Sequence, residues 1–403
     1  MKANLVAAAG LLSLVEGFRL APREVCFQHS TWHQPSIPLT IPRFFSSQQS
    51  TTFGSFSAPA ALSKPAVLHA PIQRKQVPNV LKRDRLRRRQ NNILQETLDN
   101  EQTLYFANAS LGTPAQPLRL HLDTGSSDLW ANSPISVLCR GRNNDCSVSG
   151  TYNANSSSTY SYVNSVFNIS YVDGSGASGD YATDTLTFGG ERLDGLQFGV
   201  GYRSTSPEGI LGIGYMSNEV QVNRAGGETY PNLPQLLVNK GIIRSNAYSL
   251  WLNDLDANTG SILFGGIDTQ KYHGTLSRLP IIQEFGEYRE FIIALTGLKS
   301  NGTDFGAGAR IPVLLDSGSS LMYLPDSIVS TIYRKYNAQY DENQGAAFVD
   351  CSLAQSTETL DFTFSSPTIS VPMNELVVVA GVSRRGQPVC ILGKHRTPCV
   401  PYT

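Results

Sequence analysis

"HLDTGSSDLW", residues 121–130, ends an apolar run in an aspartate and then turns at once. Leu118, Leu120 and Leu122 lead in with the two-residue period of a strand, and Thr124-Gly125-Ser126-Ser127 follow Asp123. A carboxylate at the buried end of a strand is costly, because burial disfavours its charged form. The stretch "VLLDSGSSLMYLP", residues 313–325, repeats the oddity with Asp316, Ser317, Gly318 and Ser319. Asp316 lies 193 positions after Asp123, and each copy is followed by a second echo: "GILGIG" from Gly209 and "CILG" from Cys390. Two similar blocks in one order point to a duplicated lobe. A single Asp-Ser-Gly is ordinary turn chemistry; two, each closing an apolar strand, call for a reason.

Two such loops facing one another supply it. Carboxylates a few ångströms apart do not both ionise, so the pair shares a proton over a wide acid range. The ionised member takes a proton from a bound water while the protonated member donates to a carbonyl oxygen, which is general acid–base hydrolysis of an amide without a metal. Gly125 and Gly318 let the backbone turn tightly and approach a ligand. Thr124 and Ser317 can bond across to the opposite loop, and Ser126 and Ser319 can donate to the outer carboxylate oxygens.

These motifs resemble those of the pepsin-like aspartic endopeptidases, of the fungal secreted or yapsin-like type. The resemblance runs from about Leu104 to Gly393 through "GTPAQPLRLHLDTGSSDLW", "ISYVDGSG", "EGILGIGY", "ILFGGID" and "VLLDSGSSLMYLP". It implies an all-β, bilobal fold with a cleft between related lobes. It also implies Asp123 and Asp316 as the catalytic pair, a flap hairpin carrying Tyr171, and Trp130 as the hydrogen-bonding neighbour of that tyrosine. Asp173, Gly174 and Ser175 belong to the flap tip with Gly125 and Gly318 as substrate contacts; Val172 stands where the family usually has glycine. In fungal relatives an aspartate matching Asp173 goes with acceptance of Lys just before the cut bond. No cofactor and no metal is implied. The substrate is a peptide or protein and the enzyme a monomer. The competing reading is a pepsin-like fold that has lost activity and only binds.

Composition divides the chain. Residues 1–89 carry 13 Lys and Arg against 3 acidic residues, and the remainder 19 against 29. Charges separated by segment argue for a removable leader on an acidic body rather than for nucleic-acid binding. "MKANLVAAAGLLSLVEG", residues 1–17, reads as a secretory signal. Residues 18–89 read as a pro-segment: poorly ordered to about residue 80, then basic, with Lys82-Arg83 and Arg87-Arg88-Arg89 offered to a processing protease. The destination is the secretory pathway, whether extracellular, anchored at the wall or membrane, or vacuolar. Cys139 and Cys146 flank a turn-rich segment suited to a small closed loop, and the resemblance pairs Cys351 with Cys390 in the second lobe. Cys26 lies in the leader and Cys399 is left over. Asn108, Asn155, Asn168 and Asn301 each begin an N-x-S/T sequon.

From Leu104 onward short runs of Val, Ile, Thr, Tyr and Phe broken by Gly, Asn, Ser and Pro predict strands. Two helices are expected, over 231–239 and 326–337. Residues 90–270 form the first lobe and 271–393 the second. "GSGASG", residues 174–179, fits a dinucleotide fingerprint, but the strand-like "DYATDTLTF" after it makes it a hairpin tip. His121 is a structural residue of the strand before Asp123. After "CILG" the chain reads "KHRTPCVPYT". Two prolines there argue against further strands, so 394–403 reads as an aberrant tail on an incomplete second lobe. The codons for Gly393-Lys394 can contain a fungal intron start, as a truncated or mis-spliced product would.

Overall fold

The computed structural model describes residues 18–19, 67–74, 104–141, 146–171, 174–253, 259–284, 286–306, 310–319, 321–342, 344–383 and 385–396. The signal region 1–17, the paired basic residues 82–83 and 87–89, Val172, Asp173, Cys26 and Cys399 lie outside them.

The first lobe is built on a ten-stranded sheet. Its order is Tyr248–Trp251, Thr259–Phe264, Leu68–Arg74, Tyr105–Leu111, Gln116–Asp123, Ile210–Gly212, Leu129–Asn132, Glu191–Ser204, Gly176–Phe188 and Ser161–Ser170. Alternation places Leu118, Leu120 and Leu122 in one buried cluster with Phe198, Leu211 and Leu237, the two-residue period of a half-buried strand. The helix expected at 231–239 spans Leu233–Asn239. The Asn232 side chain caps it by accepting from the Gln235 amide, and Pro234 stands in its first turn, where a missing N–H costs nothing.

The second lobe is carried by smaller sheets. Four-stranded sheets join Thr303–Asp304, Gly297–Ser300, Thr359–Thr363 and Thr368–Pro372, and Gln339–Asp341, Ala346–Val349, Pro388–Leu392 and Val377–Val382. The strand Ile311–Leu315, which leads to Asp316, pairs antiparallel with Ile292–Leu295. The helix expected at 326–337 spans Asp326–Lys335 and turns Ile328, Val329, Ile332 and Tyr333 into the core. It stops two residues early because Asn337 adopts a positive φ of 51°, a backbone that ends helices.

Two expectations need correction. Residues 18–80 are not without structure. Leu68–Arg74 is an integral strand with Leu68, Ala70 and Ile72 buried, paired with Thr259–Phe264 on one side and Tyr105–Ala107 on the other. Pro71 is tolerated because second-side pairing begins only at Ile72. Phe18–Arg19 pairs with Leu314–Leu315. Beyond Gly393, Lys394–Arg396 forms a short strand parallel to Met322–Leu324. The prolines come later, at 398 and 401, so they do not interrupt it.

Candidate active site

Asp123 closes the strand Gln116–Asp123, which pairs parallel with Ile210–Gly212 so that Asp123 stands beside Gly212. Only glycine fits there: a Cβ on Gly212 would lie 2.6 Å from the Asp128 nitrogen. The echo "GILGIG" is therefore the neighbouring strand that supports the first aspartate loop. Asp316 follows Ile311–Leu315 directly. Both carboxylates are buried, with 4% and 3% of their surface exposed.

The loops grip each other symmetrically. The Thr124 amide donates to Ser317 Oγ at 3.1 Å, and the Ser317 amide donates to Thr124 Oγ1 at 2.8 Å. Each hydroxyl then donates onward to the backbone of the opposite strand, Thr124 to the Leu315 carbonyl and Ser317 to the Leu122 carbonyl, both at 2.9 Å. Within each loop the glycine amide donates to the inner carboxylate oxygen, Gly125 to Asp123 Oδ1 and Gly318 to Asp316 Oδ1, both at 2.8 Å. Ser126 Oγ donates to Asp123 Oδ2, and Ser319 Oγ to Asp316 Oδ2 at 2.7 Å. A Cβ on Gly125 would sit 2.6 Å from Asp316 Cγ, and one on Gly318 2.7 Å from Asp123 Cγ. Each glycine thus lies against the carboxylate of the other loop, and the two acids meet at one point between the lobes.

The hairpin of Ser161–Ser170 and Gly176–Phe188 turns at Tyr171. The Tyr171 amide donates to the Ser175 carbonyl at 2.8 Å and the Gly174 amide to the Tyr171 carbonyl at 3.0 Å. Gly174 supplies the positive φ, 80°, that the turn needs. Trp130 Nε1 donates to the Tyr171 hydroxyl at 2.8 Å. Burial first, and then the charge of Asp123, push the Tyr171 hydroxyl well above its ordinary pKa, so it stays a neutral phenol.

Sequence reasoning missed a second buried acid group. Asp128, within the opening motif, is fully buried and accepts from the Tyr181 hydroxyl, from the Tyr230 hydroxyl at 2.8 Å and from the Val220 amide at 2.9 Å. Glu219, also fully buried, accepts from the Tyr230 amide at 2.9 Å through Oε2; Oε1 has no hydrogen-bond partner. The only hint in the sequence was a charge between Ser127 and Leu129. Tyr248 was missed as well. Burial and then the Asp123 charge raise its hydroxyl, and its ring packs edge-on against Phe291 of the second lobe. Nothing in "AYSLW" links it to the dyad. His121 is buried against the Phe106 ring. The disulfides Cys139–Cys146 and Cys351–Cys390 are both formed.

Residues 104–401 match the family described as eukaryotic aspartyl protease. The chain belongs to that family. Among curated members it is 55% identical over 336 residues to the probable aspartic-type endopeptidase opsB of Aspergillus fumigatus, an alignment covering 82% of this chain and 69% of that protein. It is 39% identical to secreted aspartic protease 3 of Candida albicans, over 69% of this chain and 68% of that one. Barrierpepsin of Saccharomyces cerevisiae is 34% identical over 71% of this chain and 54% of its own length. The fold of this aspartyl protease is like that of the crystal structure of the aspartic proteinase from Irpex lacteus, with a TM-score of 0.63 at 20% identity, covering 82% of this chain and 87% of that one.

Proposed function

We infer that this aspartyl protease is an endopeptidase that hydrolyses peptide bonds with a water activated between Asp123 and Asp316. The observation that carries the reading is the mutual approach of the two loops, each glycine against the opposite carboxylate. At that separation like charges oppose double ionisation, and one proton is shared. The ionised member removes a proton from the water, and the protonated member donates to the scissile carbonyl oxygen. The glycine amides and the Ser126 and Ser319 hydroxyls occupy oxygens of each carboxylate and fix its orientation. Tyr171, held by Trp130, closes over an extended substrate.

The finer reading is a secreted, acid-active monomer. Its relatives include a protein named as a secreted aspartic protease, and the two disulfides suit an oxidising compartment. Residues 1–17 direct it there, and a processing protease cuts at Lys82-Arg83 or Arg87–Arg89. The test is cleavage of an unfolded protein between about pH 3 and pH 7, the window of the shared proton, with and without the aspartic-protease inhibitor pepstatin. Asp123→Asn and Asp316→Asn should each lower kcat by about a hundredfold or more while the folded structure persists. Full activity in either variant would remove the dyad from the mechanism.

A further inference from the structure

Among the described residues the ten-stranded sheet ends at Ser161–Ser170, which pairs there only with Gly176–Phe188. This is the outer strand of the flap hairpin, and three large apolar side chains are exposed on it among serines and Asn168. Tyr162, Val163 and Val166 are 55%, 38% and 44% exposed. An unpaired strand edge with exposed apolar side chains is a template for pairing with another chain. Part of the edge is already blocked. Arg224 Nη1 donates to the Asn168 carbonyl at 3.0 Å and Nη2 to the Ser170 carbonyl at 3.2 Å. The stretch from Tyr162 to Val166 lies beyond that clamp.

Asn168 begins the sequon Asn168-Ile169-Ser170 on this strand. Ile169 points into the core and Asn168 points out. Two residues apart on a strand, Val166 and Asn168 stand on the same outward face. We propose that Asn168 carries an N-linked glycan, and that this glycan covers the free edge of the sheet. The donor is a lipid-linked pyrophosphoryl oligosaccharide. The Asn168 Nδ2 forms a bond to the anomeric carbon of the first sugar, the bond from that carbon to the pyrophosphate oxygen breaks, the lipid pyrophosphate leaves, and the amide gives up one proton to the transferase. A bulky, hydrated group at this point blocks a second chain from the edge as well as wetting the apolar patch.

The other sequons differ. Asn108, Asn155 and Asn301 are exposed too, but none of them is on a strand at the end of this sheet, and the Asn301 amide is directed to Glu358 Oε1 at 3.5 Å. They serve as internal controls for entry into the secretory pathway, on which the natural occurrence of the modification rests.

The full chain is expressed behind a foreign secretory signal in a glycosylating eukaryotic host, so that entry does not depend on residues 1–17. Glycans are removed with an amidase that converts each modified Asn to Asp, and the sites are mapped by mass spectrometry. Asn168 is expected to be modified. Ser170→Ala destroys the sequon and Ser170→Thr preserves it; the Ala variant should give severalfold more soluble aggregate by light scattering, and the Thr variant no more than the parent. Adding Tyr162→Lys and Val166→Lys to the Ala variant should return it to the parent's behaviour. An unmodified Asn168, whether or not the other sequons are occupied, overturns the proposal. So does an Ala variant as monodisperse as the Thr variant, or one whose aggregation the lysines leave unchanged.

Discussion

Thr124 and Ser317 show how much a single hydroxyl does at this site. Each accepts from the other's amide and donates to the opposite strand, so four bonds, three of them buried, cross between lobes through two side chains. Removing one hydroxyl leaves a buried amide without its acceptor, at a cost of about 1–3 kcal/mol. Thr124→Val and Ser317→Ala should each destabilise the enzyme by that amount in urea unfolding. Because the two side chains share one network, the double variant should cost less than the sum, with a coupling of about 0.5–3 kcal/mol. Strict additivity would mean that the loops do not hold each other. Trp130 offers a second residue-scale test. Trp130→Phe keeps the packing ring but loses the bond to Tyr171, and kcat/KM should fall about tenfold, the worth of one such bond. An unchanged kcat/KM would make the flap tyrosine independent of its tryptophan.

At the scale of elements, the strand Leu68–Arg74 precedes the basic residues 82–89 in the chain, yet it sits inside the first lobe's sheet. Ile72 is fully buried there, and its side chain packs in the main cluster. Ile72→Ala should destabilise the unprocessed chain by about 2–5 kcal/mol; a change under about half a kcal/mol would mean that the strand is dispensable. This element was illegible in sequence for a physical reason. A seven-residue strand interrupted by Pro71 and set between a Pro/Ser/Gln-rich stretch and a basic run has a composition that suggests disorder, while its stability comes from strands far along the chain at 105–107 and 259–264. The aspartate loops were legible because strand, acid, glycine and serine recur in one short run in each half, although what excludes a side chain at Gly125 and Gly318 is the carboxylate of the opposite loop. The helix Leu233–Asn239 was legible through the prolines at its start and Gly241 after it, and Asp326–Lys335 through the spacing of its apolar residues. Asp128 was not, since its partners Tyr181 and Tyr230 lie 53 and 102 residues away.

For the whole molecule, the buried acids behind the flap set how stability varies with pH. Burial, joined by the nearby Asp128 charge and only partly offset by the Tyr230 amide, pushes Glu219 up to about 9. Burial also raises Asp128, against the hydrogen bonds from Tyr181, Val220 and Tyr230 and the charge of Arg224. No cation is hydrogen-bonded to either carboxyl among the described residues; the groups packed around them are the two tyrosines, the Val220 amide and, at longer range, Arg224. A carboxyl whose pKa is higher folded than unfolded binds more protons in the folded state, so its contribution is greatest below the unfolded value near 4.5 and is lost as pH rises toward the folded value. Each pH unit in that window costs about 1.4 kcal/mol, on the order of 3 kcal/mol by neutral pH. Asp184 opposes this only in acid. Against its own desolvation, bonds from Ser157, Thr159, Tyr152 and the Thr185 amide hold it below the usual carboxylate range, so its share is lost as pH falls below about 4. The first lobe should therefore be most stable in mild acid and weaken toward neutrality. Glu219→Gln keeps the size and removes the ionisation. Between pH 5 and pH 7.5 the variant should lose less stability to urea than the parent, Asp128 carrying what remains, and equal losses in both proteins would remove Glu219 as a source of the pH dependence.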